Sequence, residues 1–321
     1  MERSYKVSFG VFLPFYAFSK EEKNYFQYFN RVKEAVLECE RLGYDSVWLD
    51  DHLMFGKQPI LEAWTTLSAL SSVTKTIRLG TMVLSNSFRN PALLAKMSST
   101  LDVVSNGRLE FGIGAGIQKD EHTSYGLPFP RSSLRVDRMR EAIEIIKSMW
   151  TEEKTTYEGR YYKTKEAFCE PKPLQKPHPP ITIGGSGEKY TLKVTAQHAD
   201  RFDWGYLPAS LYKHKLTVLE NHCKAVGREP QKIEKSCWPG GQIFIAHDRK
   251  ELDKKLSLKK TKGVSLRDFK KLSLAGTPNE WVDRILYYAK LGATYFMLFF
   301  GDLPNLDGVR VFAETVTEMI E

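Results

Sequence analysis

The residues best suited to acid–base chemistry follow a short apolar segment, as Asp50-Asp51-His52. A histidine at the end of a buried strand can act as a general base, a hydrogen-bond donor or a polar rim residue. The neighbouring carboxylate of Asp51 is positioned in sequence to orient the imidazole ring. Further along the chain, Glu121-His122 is either a second titratable pair or the start of a surface helix.

Two glycine-rich segments predict ligand contact through the backbone. Residues 112–116 (Gly-Ile-Gly-Ala-Gly) lack the G-x-G-x-x-G spacing of a dinucleotide fingerprint, but alternate glycines allow a flat ligand to approach closely. The turn Gly184-Gly185-Ser186-Gly187 precedes a helix, where free N–H groups and the helix dipole favour an anion such as phosphate. A ligand-free turn is the alternative.

Small polar residues also follow a third apolar segment, at Thr81, Ser85 and Asn86. They are able to meet the carbonyls and ring nitrogens of a ligand, or they are ordinary turn residues. The sequence contains neither G-x-S-x-G nor H-E-x-x-H, and its four cysteines stand far apart. We therefore expect no metal site and neither a hydrolase nor a metalloprotease.

These residues are positioned by eight alternating strand-like and helix-like segments. The predicted strands, which are apolar or β-branched runs bounded by glycine and proline, are residues 6–13, 44–49, 77–84, 109–113, 181–183, 201–204, 240–246 and 295–300. The pattern predicts the α/β class, a (β/α)₈ TIM barrel with insertions at the C-terminal rim, as one domain over residues 1–321. A doubly wound sheet is the alternative, with fewer units than this chain supplies. In such a barrel the active site lies at the C-terminal ends of the strands.

Composition limits the remaining classes. The chain has 321 residues, with 42% apolar and 27% charged residues and a net charge of +8. No apolar stretch approaches the roughly 20 residues of a membrane span, and no secretory leader is recognisable, so we expect a cytoplasmic protein that uses no membrane. The basic residues concentrated at 254–271 predict a solvated surface insert or a site for an anionic ligand, with no nucleic-acid partner.

Ordered motifs along almost the whole chain make it resemble the luciferase-like monooxygenase superfamily, in particular the branch that uses the deazaflavin coenzyme F420. The motifs that carry the resemblance are residues 43–52, 77–81, 90–96, 100–108, 112–116, 125–129, 179–185 and 275–278. The resemblance implies a barrel with the coenzyme ring over the strand ends, its phosphate on the Gly184–Gly187 turn, and a homodimer. It also implies a non-prolyl cis peptide at or near Met82-Val83, against the face of the ring.

The resemblance further implies roles for individual side chains. His52 matches the family's active-site histidine, Ser85 a polar position near the ring, and Ala115-Gly116 a backbone position near it. The expected coenzyme-binding residues are Asp51, Met82, Val83, Ser85, Ala115, Gly116, Gly184, Gly185, Ser186 and Gly187.

One position departs from the sugar-phosphate dehydrogenases of this family. They carry a proton-donating glutamate directly after the glycine run, where this chain has Ile117. The candidate acid or base is then His52, with Glu121 or His122 as a helper.

The activity expected is hydride transfer between F420 and a small organic substrate. The alternatives are an FMN-dependent monooxygenase, which uses reduced flavin, O₂ and a partner reductase, and a barrel that binds coenzyme without catalysis.

Overall fold

A computed structural model describes residues 6–19, 24–259 and 274–320. The strands of its central sheet, which is parallel, are β1 Ser8–Phe12, β2 Ser46–Leu49, β3 Arg78–Thr81, β5 Leu109–Gly114, β8 Ile181–Gly184, β9 Arg201–Asp203, β10 Glu234–Cys237 and β13 Tyr295–Leu298, with the short β4 Leu84–Ser85 beside β5. Their order in the sheet is β3-β2-β1-β13-β10-β9-β8-β5, and the sheet closes because β5 also pairs with β3. The predicted (β/α)₈ barrel is confirmed.

The seventh barrel strand is not the one that the sequence predicts. The barrel uses β10, which pairs with β13 in the register Ser236↔Tyr295, whereas the prediction was residues 240–246. Within that predicted range, β11 (Ile243–Ile245) pairs in parallel with β12 (Leu274–Gly276) in a separate two-stranded sheet. The apolar run Ile243–Ile245 gives the stronger strand pattern, and the polar sequence of β10 conceals a barrel strand.

The predicted third strand, residues 77–84, is interrupted. It ends as β3 at Thr81 and resumes as β4 at Leu84, and the Met82–Val83 peptide between them is cis. The implied non-prolyl cis bond is therefore confirmed at Met82–Val83. Both residues are partly exposed at this interruption, whereas Thr81 and Leu84 are buried.

The described helices follow the predicted alternation. They are α1 Phe15–Ser19, α2 Tyr25–Arg41, α3 Ala63–Ser71, α4 Pro91–Val104, α5 Lys119–Ser124, α6 Ser132–Thr151, α7 Thr191–His198, α8 Ala209–Ala225, α9 Arg249–Lys259, α10 Pro278–Lys290, α11 Asp307–Val311 and α12 Glu318–Ile320, with a π-helical turn at Phe312–Thr317. None of the described helices combines the length and the apolar composition needed to cross a bilayer.

Helix α4 illustrates how local sequence sets a boundary. The Asn90 side chain accepts hydrogen bonds from the N–H groups of Ala92 and Leu93, at 2.9 and 3.4 Å. Pro91 occupies the first helical position, where its missing N–H leaves no acceptor unsatisfied. These two residues therefore set the start of the helix, which runs from Pro91 to Val104.

Two segments lie outside the barrel strands. An antiparallel hairpin forms from β6 (Thr155–Glu158) and β7 (Lys163–Ala167). Its polar strands lack the apolar alternation that marks a buried strand. Of the basic stretch 254–271, residues 254–259 belong to α9, and the rest lies outside the described residues.

Residue contacts divide the chain into two compact units. The first comprises the described residues within Met1–Trp48, Trp204–Lys213 and Glu234–Glu321, and its core includes the edge-to-face pair Phe9 and Phe312. The second comprises Leu49–Asp203 and His214–Ile233. All of the candidate site residues lie in this second unit.

Candidate active site

The imidazole of His52 lies against the carboxylate of Glu121. Its Nδ1 is 3.2 Å from Oε1 and 3.3 Å from Oε2, and the N–H of Leu53 donates to Oε2 at 3.0 Å. Glu121 is nearly enclosed, with 3% of its side chain exposed, while 20% of the His52 side chain is exposed. The two predicted acid–base residues thus form one pair, in which Glu121 orients a histidine that solvent reaches.

The environment of His52 favours its protonated form. Burial acts to lower the pKa of His52, but the hydrogen bond and charge of Glu121, together with the charges of Asp50 and Asp51, outweigh it. The pKa of His52 is therefore raised above its ordinary value. A histidine with a raised pKa and one nitrogen held by a carboxylate is suited to donating a proton from the other nitrogen.

Asp51 does not orient His52. Its carboxylate accepts a bidentate ion pair from Arg89, with N–O distances of 2.8 and 2.9 Å, and also the N–H of Ser85 at 2.9 Å. Arg89 also pairs with Glu62. Because Asp51 is fully buried and both of its oxygens are engaged, it holds Ser85 at the end of β4 and acts on His52 through its charge.

The side chain of Val83 packs against glycines of β5 and β8 at the strand ends. A Cβ on Gly114 would lie 2.8 Å from a methyl group of Val83, and a Cβ on Gly184 would lie 2.6 Å from the same methyl group. A Cβ on Gly112 would collide with the carbonyl oxygen of Thr81. Glycine is therefore required at all three positions for Val83 to fill the space between β5 and β8.

Ser85 and His122 face the backbone of Gly116. A Cβ on Gly116 would lie 2.7 Å from Ser85 Oγ and 3.1 Å from His122 Nε2, and Gly116 has a φ of +79°. The main chain of Ala115 and Gly116 is partly exposed there. The structure thus brings together two predicted ring-contacting positions, Ser85 and Gly116, that are 31 residues apart in sequence.

The Gly184–Gly187 turn precedes α7 but does not open it. Gly185 adopts a φ of +110°, its N–H donates to Asp203 O at 2.7 Å, and α7 begins only at Thr191. Within the described part of the chain, the N–H groups of Ser186 and Gly187 make no backbone hydrogen bond. Gly185 and Gly187 are exposed, so these donors are accessible to an anion.

Ile117, which replaces the expected glutamate, leaves 80% of its surface exposed. It stands between Gly116 and α5, the helix that carries Glu121. No acid occupies its position, and the buried acid that follows in sequence is Glu121 on α5. Among the described residues, no three His, Cys, Asp or Glu side chains gather as metal ligands.

Three contributing residues were not predicted. Arg89 neutralises Asp51, Ser87 hydrogen-bonds to His122, and Glu62 binds Arg89. Arg89 lies shortly after Ser85 and Asn86 in the sequence, and a buried aspartate needs a cation beside it. This need of Asp51 for a cation is the signal from which Arg89 could be predicted. The Ser87 contact depends on side-chain direction, which the sequence does not give.

Most of the chain matches the model of a known protein family. Residues 7–263 match the model of the luciferase-like monooxygenase family. The chain belongs to that family, as the sequence motifs indicated.

Two relatives and one solved structure are similar to the chain. It is 37% identical over 217 residues to an F420-dependent glucose-6-phosphate dehydrogenase of Microbacterium testaceum, with 64% of this chain and 62% of the relative covered. A protein of the same name from Segniliparus rotundus is 29% identical over 311 residues, with 86% and 89% covered. An F420-dependent secondary alcohol dehydrogenase, solved with an F420-acetone adduct, has a TM-score of 0.78 at 22% identity, with 97% and 98% covered. The chain spans less than two thirds of the Microbacterium testaceum relative, and the solved structure shares the fold.

Proposed function

We propose that this chain is an F420-dependent oxidoreductase that transfers a hydride between the deazaflavin and a small organic substrate. The observation that carries the proposal is the His52–Glu121 pair, with Nδ1 held at 3.2 Å by a buried carboxylate. The relatives named F420-dependent dehydrogenases support the choice of coenzyme.

The described residues fit a deazaflavin coenzyme. The methyl groups of Val83 pack where Cβ atoms on Gly114 and Gly184 would otherwise be, and Val83 is partly exposed, so it would supply an apolar contact for a flat ring. The N–H groups of Ser186 and Gly187, which make no backbone hydrogen bond among the described residues, suit a phosphate. When bound, F420 would supply the two-electron chemistry, and the protein would supply position and a proton.

His52 is the proposed proton donor and acceptor. Glu121 accepts a hydrogen bond from the Nδ1–H of His52. The other nitrogen, Nε2, is then left to exchange a proton with the substrate as hydride transfer changes the basicity of the substrate. The raised pKa of His52 favours its protonated form, which is the proton-donating one. Glu121 acts by orienting the ring and stabilising its charged form, since the carboxylate itself is buried.

The substrate class proposed is small and organic, without assignment to a sugar phosphate. The relatives named as glucose-6-phosphate dehydrogenases share the coenzyme in this proposal. The exposed, apolar Ile117 stands where members of that kind carry an acid, and this difference argues against transferring their substrate to this chain.

The first test is a titration of purified apo-protein with F420 and, separately, with FMN, followed by absorbance and fluorescence. We expect saturable binding of F420 and no binding of FMN. Preference for FMN would refute F420 dependence, and the alternative would then be a monooxygenase that needs a partner flavin reductase. Binding of neither would refute both coenzyme assignments.

The second test changes the proton donor. His52→Ala should lower kcat by about 100-fold or more, since general acid–base groups contribute about 10²–10⁴-fold, while F420 affinity stays within a few-fold. The exposed His247 provides a matched control, because His247→Ala removes a histidine outside the candidate site. An unchanged kcat in His52→Ala would eliminate the proton-transfer role.

A further inference from the structure

His122 is a fully buried imidazole that the proposed chemistry does not use. It lies on α5 directly after Glu121, and none of its surface is exposed. Its ring packs between Phe88 and Phe129, with centroid distances of 4.9 and 4.8 Å. An imidazole enclosed by aromatic rings needs hydrogen-bond partners for both nitrogens, and these partners define what it does.

The contacts of His122 fix the direction of a hydrogen-bond chain. Nδ1 is 2.6 Å from the carbonyl oxygen of Gln118, which only accepts, so Nδ1 carries a proton. In the neutral ring Nε2 is then an acceptor, and Ser87 Oγ, at 2.6 Å, donates to it. Ser87 has a single hydroxyl proton, which it donates to Nε2. Ser87 Oγ therefore accepts a hydrogen bond from Ser85 Oγ, at 3.1 Å.

This chain sets the polarity of Ser85. With its hydroxyl proton directed at Ser87, Ser85 presents only lone pairs to other groups. Ser85 is also held from its backbone, where its N–H donates to the buried Asp51. Its Oγ faces Gly116, where a Cβ would lie 2.7 Å from the hydroxyl oxygen.

We propose that His122 is a positioning residue that makes Ser85 a fixed hydrogen-bond acceptor for the ring N–H of the bound coenzyme. The inference rests on the proposed function, since it needs a coenzyme ring at Ser85. Deazaflavin and flavin rings both carry an N–H flanked by two carbonyls. A hydroxyl that is already oriented as an acceptor binds that N–H without first losing rotational freedom.

The test is a double-mutant cycle on coenzyme affinity. His122→Phe keeps the aromatic packing but removes the Nε2 acceptor, and Ser87→Ala breaks the chain at its middle. Each should weaken F420 binding about three- to tenfold, the effect of one hydrogen bond. His122→Gln, which restores an acceptor near the Nε2 position, should recover most of the affinity. In a Ser85→Ala background, His122→Phe should cause no further loss.

Several results would overturn the inference. A His122→Phe loss of the same size with and without Ser85 would make His122 a packing residue only. No loss in either His122→Phe or Ser87→Ala would remove the chain from coenzyme binding. Circular dichroism and thermal unfolding of the apo-protein verify each fold, and Ser87→Ala completes the cycle if His122→Phe fails to fold.

Failure of the proposed function is separable from failure of this inference. The wild-type titration comes first, and the coenzyme that it selects is the probe for the cycle. If the wild type binds neither F420 nor FMN, the coenzyme assignment and this inference fall together. If the wild type binds and the cycle shows no coupling, only the role of His122 is overturned.

Discussion

Replacing Glu121 by glutamine tests the central pair of the site through protein stability. The substitution keeps an acceptor for the Leu53 N–H but removes the charge beside His52 Nδ1. The side chains of His52 and Glu121 are only 20% and 3% exposed. The charged hydrogen bond between them should therefore contribute about 1.5–3 kcal/mol to stability. Glu121→Gln should lose more of this contribution where His52 is protonated than where it is neutral.

The pH dependence has a definite sign. The pKa of His52 is raised in the folded chain, so its protonation adds stability that is complete below the ordinary value of 6.5. That stability is lost as pH rises through the raised pKa. Glu121→Gln should therefore be less stable than the wild type by about 1.5–3 kcal/mol at about pH 6, with the difference shrinking towards about pH 9.

Urea unfolding at the two pH values measures this difference, and an exposed pair serves as control. Glu188 contacts His214 at 3.1 Å, and both side chains are about half exposed, so Glu188→Gln should change stability little at either pH. An equal loss for Glu121→Gln at the two pH values would refute the reasoning. Glu121 would then contribute through packing and the Leu53 contact, without stabilising charged His52.

Two further substitutions test the support around the site. Arg89→Met leaves the buried Asp51 without its cation and should cost about 3–5 kcal/mol in the free energy of unfolding, against less than about 1 kcal/mol for Arg310→Met at an exposed ion pair. A loss below about 1 kcal/mol at Arg89 would contradict the buried-pair interpretation. Gly112→Ala should cost about 1–3 kcal/mol, because its Cβ would collide with backbone. Gly241→Ala, where the Cβ meets nothing within 4 Å, is the control, and equal melting temperatures for the two variants would refute the steric argument.

Local patterns were enough to predict most of the barrel but not its seventh strand. The bounds of α4 follow from Asn90 and Pro91, which act on the next few residues alone. The strand Glu234–Cys237 carries two charged residues in four positions and has no local signal comparable with Ile243–Ile245. Its place depends on pairing with Tyr295 and Phe296, and such long-range pairing is not encoded in a local window.

The site residues were predictable by type and position, but their partners were not. The end of β2 placed His52 at the active face, yet sequence proximity favoured Asp51 over Glu121 as its carboxylate. Side-chain direction decides between them: Asp51 turns to Arg89 and the Ser85 N–H, whereas Glu121 arrives from 69 residues away. The burial of Asp51 beside Arg89 is a tertiary property that neighbouring residues do not reveal.

Helix α5 carries Glu121 and His122 in succession, and this adjacency constrains how the protein can change. Successive residues on a helix point about 100° apart, so one short helix directs Glu121 to His52 and His122 to the serines. Deleting a single residue between Gln118 and Glu121 would rotate both side chains away from their partners at once. A point substitution in α5 can therefore change the contact of Glu121 or that of His122 alone, whereas a change in the length of α5 alters both. We expect the spacing in α5 to tolerate neither insertion nor deletion.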